Sequence, residues 1–499
     1  MKKRNDTAAV NVDMKKQRNA SRPYDFKLII IFMAAYIVLL LLPLVFGGKR
    51  EDPFFSYKIM WLNILGHHYG LPPETPKPLF IVLCGLLWHG ALYSVMCAFG
   101  AGVLWLLMKL AVHFGASCWT GLAAFVLFIA CNTTVLPEFI LSAYYPMLYF
   151  FLLLGGAYAF IKKRPLQASL FFLGAGLVRP EAWAVPALVM LVSRFRRERG
   201  FSWWYALAFA APLVWALVDL RIAGSATYSG DVTQDYMASL MLAPVTFAGY
   251  WPATLDNVIS SFFWPVHLAG LAGLCYFVVR KRTDDHLLLA ALFLLPFLAF
   301  WLMSFVKPVI VHVRFLSFPM LLCCLYLTVA MAEWIKNRLI YTATFIALLN
   351  FGFRHDVIKT TVLNVMADTI IQEARKQVLG ALRKMEKPAD VIICGRSLAY
   401  FSYQLGEEAS GKIVLFREVG ANNSPLRCVS KGIVVFIIND LGSSDLVQFE
   451  QLMGAQSQRT GPYEFASFYK TKKNTGFIYL FQRKKDRPLP QDCPGYGKR

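Results

Sequence analysis

The chain has 499 residues, of which 57% are hydrophobic and 16% charged, and a mean hydropathy of +0.49; soluble domains run at about half apolar and a quarter charged. With 40 Phe and 12 Trp the apolar surface exceeds what one soluble core buries and has to meet lipid, which excludes a cytosolic multidomain protein, a disordered chain and a disulfide-built secreted scaffold, the 10 Cys being thinly spread. A net charge of +21 would suggest nucleic acid in a soluble protein, but here Lys and Arg cluster where apolar runs end, so the positive-inside rule accounts for them and no nucleic-acid partner is expected.

Residues 1–27 carry eight Lys or Arg and read as a cytoplasmic tail. The apolar run Leu28 to Gly47 is too long, and lacks the small-residue cleavage site, for a removed signal peptide, so the loop 48–77 emerges on the outer face. Further apolar runs occupy roughly Pro78 to Val112, Cys118 to Thr134, Tyr145 to Ile161, Trp203 to Asp219, Val258 to Val279, Leu287 to Phe305, Phe315 to Trp334 and Leu339 to Phe353. Counting spans puts the clusters Lys162-Lys163-Arg164, Arg194 to Arg199, Arg280-Lys281-Arg282 and Lys336 to Arg338 on the cytoplasmic side. Between two of them, Pro165 to Ser193 has 29 residues, too few for two spans of about 20. It is expected to go in and return as two short helices, with Arg179-Pro180-Glu181 at the apex, where proline breaks the helix and two charges sit at membrane depth. Cys84, Cys97, Cys118, Cys131, Cys275, Cys323 and Cys324 lie in apolar runs and read as buried small hydrophobes.

Beyond Arg354 the composition changes. Residues 354–386 have an amphipathic helical pattern, and 387–485 read as an extracytoplasmic α/β domain with strands at Asp390 to Cys394, Lys412 to Phe416, Gly432 to Ile438, Phe465 to Tyr469 and Gly476 to Gln482. Residues 486–499 form a basic, Pro- and Gly-containing tail with no structure assigned. The expected fold is therefore mainly α: a polytopic transmembrane bundle of about 11 segments over 28–353, followed by a small α/β domain.

Ionisable residues in or beside spans are costly, so each is a functional candidate. Glu51-Asp52 lies just past the first span; a carboxylate there can take a proton from an acceptor hydroxyl or hold a divalent cation, and equally can be a solvated charge pair beside Lys49 and Arg50. Phe54 to Tyr69 reads as an interfacial helix with Phe54, Phe55, Ile59, Leu62 and Leu65 on a lipid-facing stripe. His67 and His68 point apart on a helix, which disfavours joint ligation of one metal. Lys77, in the rigid segment between Pro76 and Pro78, sets an ammonium at the mouth of the next span, suited to a phosphate or to snorkelling. Arg179 and Glu181 can neutralise one another. His312 and Arg314, with Lys307, form a positive set at an outer face that is otherwise poor in positive charge, which invites an anionic ligand. Glu138 adds a carboxylate at the same level, and Asp231 and Asp235 are weakly informative.

Together these features resemble the GT-C superfamily of polytopic, polyprenyl-phosphate-sugar-dependent glycosyltransferases, of the mannosyl, arabinosyl or aminoarabinose transferase kind. The marks are Glu51-Asp52 opening the first external loop, Lys77-Pro78-Leu79 ending it, the Gly176-Leu177-Val178-Arg179-Pro180-Glu181 hairpin, and Arg314-Phe315-Leu316 with Pro319 opening a late span. The resemblance implies that Asp52, with Glu51 as neighbour or alternate, is the catalytic base. It implies a donor phosphate held by Lys77, Arg314, Arg179 and His312, with Glu181, Glu138 and His67 in support. In members that use a metal, the cation sits beside the acidic pair. It further implies a polyprenyl-phosphate sugar donor, a glycan, lipid or protein acceptor, membrane lipids around the bundle, and a bacterial cytoplasmic-membrane location with the amino terminus inside. The acidic pair here is Glu-Asp where many members have Asp-Asp, and Lys77 is followed by one Pro instead of two, so the sugar is left open.

The turn after Asp390 to Cys394 lacks the second and third glycines of a dinucleotide fingerprint, so no nucleotide site is expected. Cys394 reads either as a buried thiol or as a partner for Cys428. The alternative class, a transporter or lipid flippase with Arg179 and Glu181 lining a pathway, predicts matching broken helices in both halves, and the sequence shows one in a single half.

Overall fold

The computed structural model of the protein describes residues 28–42, 52–69, 75–132, 135–140, 145–195, 203–230, 246–281, 284–306, 313–354, 391–394, 398–410, 412–415, 433–438, 463–470 and 477–483, with a few residues between 372 and 383. Among them four helices are long and apolar enough to cross a membrane: His89–His113, Trp203–Ala223, Asp285–Phe305 and Arg314–Trp334. Shorter apolar helices accompany them, and the whole is an integral membrane protein of the mainly α class.

The chain divides into two compact units. The first comprises Met1–Val45, Gly90–Ala211 and Val245–Thr361. In chain order its helices are α1 (Leu28–Leu42), α4 (His89–His113), α5 (Cys118–Ala130), α6 (Pro146–Ile161), α7 (Pro165–Val178), α8 (Val185–Phe195), α10 (Tyr250–Ser261), α11 (Trp264–Lys281), α12 (Asp284–Val306), α13 (Val313–Trp334) and α14 (Arg338–Arg354). The second comprises Phe46–His89, Pro212–Pro244 and Val362–Arg499; it holds α2 (Asp52–Ile64), α3 (Pro78–Leu86), most of α9 (Ala210–Ala223), α15 (Leu398–Leu405), α16 (Glu407–Ser410) and strands β1 (Val391–Cys394), β2 (Ile413–Leu415), β3 (Ile433–Ile438), β4 (Tyr463–Lys470) and β5 (Phe477–Arg483).

Two of the expected runs are broken. Pro78 to Val112 reads as one apolar stretch, but Leu87 is extended (φ −107°, ψ 147°) and separates α3 from α4, with Trp88 77% exposed at the corner. At 1.5 Å per residue the whole run would outreach the ~30 Å hydrocarbon layer, so the chain has to break. The run from Val258 breaks at Phe262, also extended, because its backbone pairs elsewhere: Asn132 and Phe262 form a β-bridge and the Phe263 amide donates to the Cys131 carbonyl at 3.0 Å. Pro165 to Ser193 forms two helices, α7 and α8, joined by the 3-10 turn Pro180–Ala184.

In the first unit, helix pairs approach where small residues line the contact, as packing in lipid demands. A Cβ on Gly270 of α11 would collide with the Cys323 backbone of α13, and Gly155 and Gly156 of α6 face Phe171 and Phe172 of α7. Helix α13 is the most enclosed of the long helices and Trp203–Ala223 the least. Most cysteines expected to be buried are so, but Cys275 is exposed: it lies on a face of α11 that no described element covers.

In the second unit the strands fall within one or two residues of their expected bounds and form one sheet of order β2-β1-β3-β5-β4. β1 runs parallel to β2 and β3, while β5 is antiparallel to β3 and β4, with a bulge between Phe465 and Ser467. The uninterrupted apolar sequences of β1 and β3 are those of strands flanked on both sides. Cys428 and residues 486–499 lie outside the described residues.

Candidate functional site

In the second unit the first loop is built around α2. Asp52 is its first helical residue and Pro53 its second, the composition that helix starts favour; of Asp52 only the backbone is described, and Glu51 lies outside the described residues. At the other end the helix closes with a Schellman turn: the Gly66 amide donates to the Asn63 carbonyl and the His67 amide to the Leu62 carbonyl, both at 3.1 Å. Gly66 has φ +100°, a left-handed conformation that a side chain would strain. The Asn63 side chain pins the chain beyond this turn, accepting from the Tyr69 amide at 2.9 Å and donating to the Tyr69 carbonyl at 3.1 Å. Arg221 Nε donates to the Ile64 carbonyl at 3.0 Å, and Lys58 Nζ caps the end of α3 at the Gly85 carbonyl, 2.6 Å away.

The expected lipid-facing stripe is largely covered by protein. Phe54, Phe55 and Ile59 are buried, whereas Leu65 is exposed. Phe55 meets the rings of Tyr400 and Tyr403 on α15, edge to face at 5.3 Å and tilted at 5.4 Å, and Phe54 meets His89. Beyond the helix, Glu407 accepts from the His68 amide at 2.6 Å and lies 3.3 Å from His67 Nδ1. These contacts, the His68 amide first, hold its carboxyl below the ordinary value. His67 is thus engaged with Glu407, at an exposed position.

Lys77 is the N-cap of α3, followed by Pro78 at the first helical position. It is 8% exposed, and its ammonium lies 5.0 Å from the ring centroid of Trp215 on α9. One turn further along α9 the buried Asp219 carboxylate accepts from the Ser229 amide at 2.9 Å and hydroxyl at 2.7 Å.

In the first unit the hairpin apex and the start of α13 come together. α7 stops at Val178 because residues before proline avoid the helical region, and Arg179 is extended (φ −147°, ψ 131°). Arg179 is 2% and Glu181 6% exposed. The guanidinium forms a side-on pair with the Glu181 carboxylate, Nη2 to Oε1 and Nε to Oε2, the latter at 3.3 Å. Nη1 donates to the Arg314 carbonyl at 3.1 Å. The rings of Tyr149 and Phe315 lie 5.0 Å and 4.7 Å from the guanidinium carbon. Arg314 itself is half-buried, its guanidinium carbon 5.4 Å from the Phe315 ring. Glu138 falls in the π-helical segment Val135–Ile140 with its side chain undescribed, and Lys307, His312, Asp231 and Asp235 lie outside the described residues. Among the described residues no three His, Cys, Asp or Glu side chains gather as a metal set.

Sequence reading missed Trp215, Glu407, Tyr400 and Tyr403. Trp215 and Asp219 have helical spacing within an apolar run, and a carboxylate there is the one signal that could have drawn attention to that face.

The sequence matches no protein-family profile and no curated protein. Among solved structures it is similar to the archaeal oligosaccharyltransferase AglB from Archaeoglobus fulgidus, determined with an inhibitory peptide and a dolichol-phosphate. The likeness has a TM-score of 0.51 at 11% identity and covers 93% of this chain and 75% of that one. At that identity the likeness is one of fold. This chain is a polytopic, mainly α membrane protein whose fold is like that of the archaeal enzyme.

Proposed function

We propose that the protein is an integral-membrane glycosyltransferase that moves a sugar from a polyprenyl-phosphate donor to an acceptor hydroxyl on the extracytoplasmic face. The observation that carries this reading is the fold likeness along nearly the whole chain to an oligosaccharyltransferase whose structure holds a dolichol-phosphate. A sugar on a lipid phosphate is already activated, so the protein has to supply a base and cationic groups and needs no nucleotide site. In the reaction Asp52 takes the acceptor proton, the acceptor oxygen bonds to the anomeric carbon, and the bond from that carbon to the phosphate oxygen breaks, leaving polyprenyl phosphate with the electron pair. Glu51 is the neighbour or alternate of Asp52. Lys77 and Arg314 stabilise the departing phosphate, with His312 in the same role. If a divalent cation takes part, Glu51 and Asp52 are where it binds.

The test is turnover by the purified protein in detergent with short-chain polyprenyl-phosphate hexoses and pentoses, read as release of polyprenyl phosphate. Release that depends on an added acceptor is expected. No release from any such donor, with intact protein, would sink the assignment.

A further inference from the structure

We propose that Arg179 and Glu181 are positioning residues: the pair fixes the first turn of α13, and through that turn the Arg314 side chain. The inference rests on the reading of Arg314 as a donor-phosphate group. In the sequence Arg179 resembles another phosphate ligand. In the structure its guanidinium is enclosed, with Nη2 and Nε on Glu181, Nη1 on the Arg314 carbonyl, and Tyr149 and Phe315 against it.

The start of α13 needs such a tie. Pro319 lies inside the helix and has no amide hydrogen, so the Phe315 carbonyl receives no bond from position 319, and the proline ring crowds that same carbonyl. The turn bearing Arg314 and Phe315 is therefore weakly joined to the rest of its own helix. Arg179 grips it at two places, the Arg314 carbonyl and the Phe315 ring. Arg179 is itself held at a fixed height, since its amide donates to Ala175 at the end of α7 and Pro180 sets the turn that carries Glu181. A planar fork paired on one edge and bonded on the other transmits that fixed height to the backbone of Arg314; an ammonium cannot.

Three variants test this: Arg179→Lys, Glu181→Gln, and the double variant Arg179→Met with Glu181→Met, which removes both charges at similar volume. Each is expected to raise KM for a polyprenyl-phosphate sugar by about tenfold to a hundredfold, the worth of a displaced charge-assisted hydrogen bond, with kcat changed by less. In each, hydrogen exchange should rise in the segment 313–318 while the other spans keep their protection. The double variant guards against misfolding, because an apolar pair in place of a buried ion pair is tolerated. If it restores wild-type KM, the two residues merely neutralise each other and the proposal falls. Unchanged exchange at 313–318, or exchange rising evenly over all spans, also overturns it. Wild-type protein that binds no geranylgeranyl phosphate would remove the donor reading instead, and the exchange comparison would still decide the tie between Arg179 and α13.

Discussion

Asp52 and Lys77 differ in what their surroundings ask of them. Asp52 is the first residue of α2, and in the proposed reaction its carboxylate is the base. Asp52→Asn is therefore expected to lower kcat by about 10²–10⁴-fold, with the thermal midpoint within about 2 °C of wild type. Full activity in Asp52→Asn with loss in Glu51→Gln would move the base by one residue, and full activity in both would remove it. Lys77 is buried over Trp215, so its ammonium is held by an aromatic face that belongs to a different helix. A cation held in this way is worth about 0.5–2 kcal/mol. Trp215→Leu should raise donor KM severalfold, and Lys77→Met should raise it further. A lowered midpoint with unchanged KM in both would show that the contact serves the fold alone. Lys77 drew attention in the sequence because Pro76 and Pro78 flank it at the start of an apolar run. Trp215 did not, because it is one of 12 tryptophans in a chain where every span is apolar.

Helix α2 shows where a one-dimensional reading stops. It was expected to run from Phe54 to Tyr69 but spans Asp52–Ile64, because Gly66 takes a left-handed conformation that closes it; the strand bounds of the sheet, which turn-forming residues punctuate, do follow from local rules. Its apolar stripe was assigned to lipid and is covered by Tyr400, Tyr403 and His89, because lipid and a protein neighbour ask for the same side chains. Strand order was equally out of reach, since pairing is decided between segments far apart in the chain. The break of α7 at Arg179 was legible, because proline acts locally; the tie from Arg179 to Arg314 was not. The Glu407 contact gives this level a test. A carboxyl held below its ordinary 4.5 by the folded contact stabilises that contact above this pH and loses it as pH falls through the lowered value. Hydrogen exchange of residues 398–410 should therefore rise as pH drops below about 4.5 after correction for the intrinsic rate, and Glu407→Gln should abolish the extra rise. The same pH dependence in Glu407→Gln would assign it to another group.

At the scale of the whole molecule, the basic clusters and the apolar runs predict an orientation. With the amino terminus inside, a membrane-impermeant thiol reagent should reach single cysteines engineered into 395–480 from the outer face, and sites near Arg196 only after the cytoplasmic face is opened. Labelling of 395–480 from the cytoplasm would invert the count of spans. The expected topology rests on charge asymmetry, which acts on each loop separately; the grouping of the first loop with the carboxy-terminal residues depends on contacts that no local pattern encodes.

That grouping also sets a timetable. The tyrosine that covers Phe55, Tyr400, leaves the ribosome 345 positions after it. At about 5–20 residues per second this is a wait of roughly 20 to 70 s. During that interval the bundle helices can insert one after another, while the aromatic face of α2 stays without its partner. Phe55 is therefore made long before the α15 rings that cover it. Covering of Phe55 is in this way tied to synthesis of the chain as far as α15.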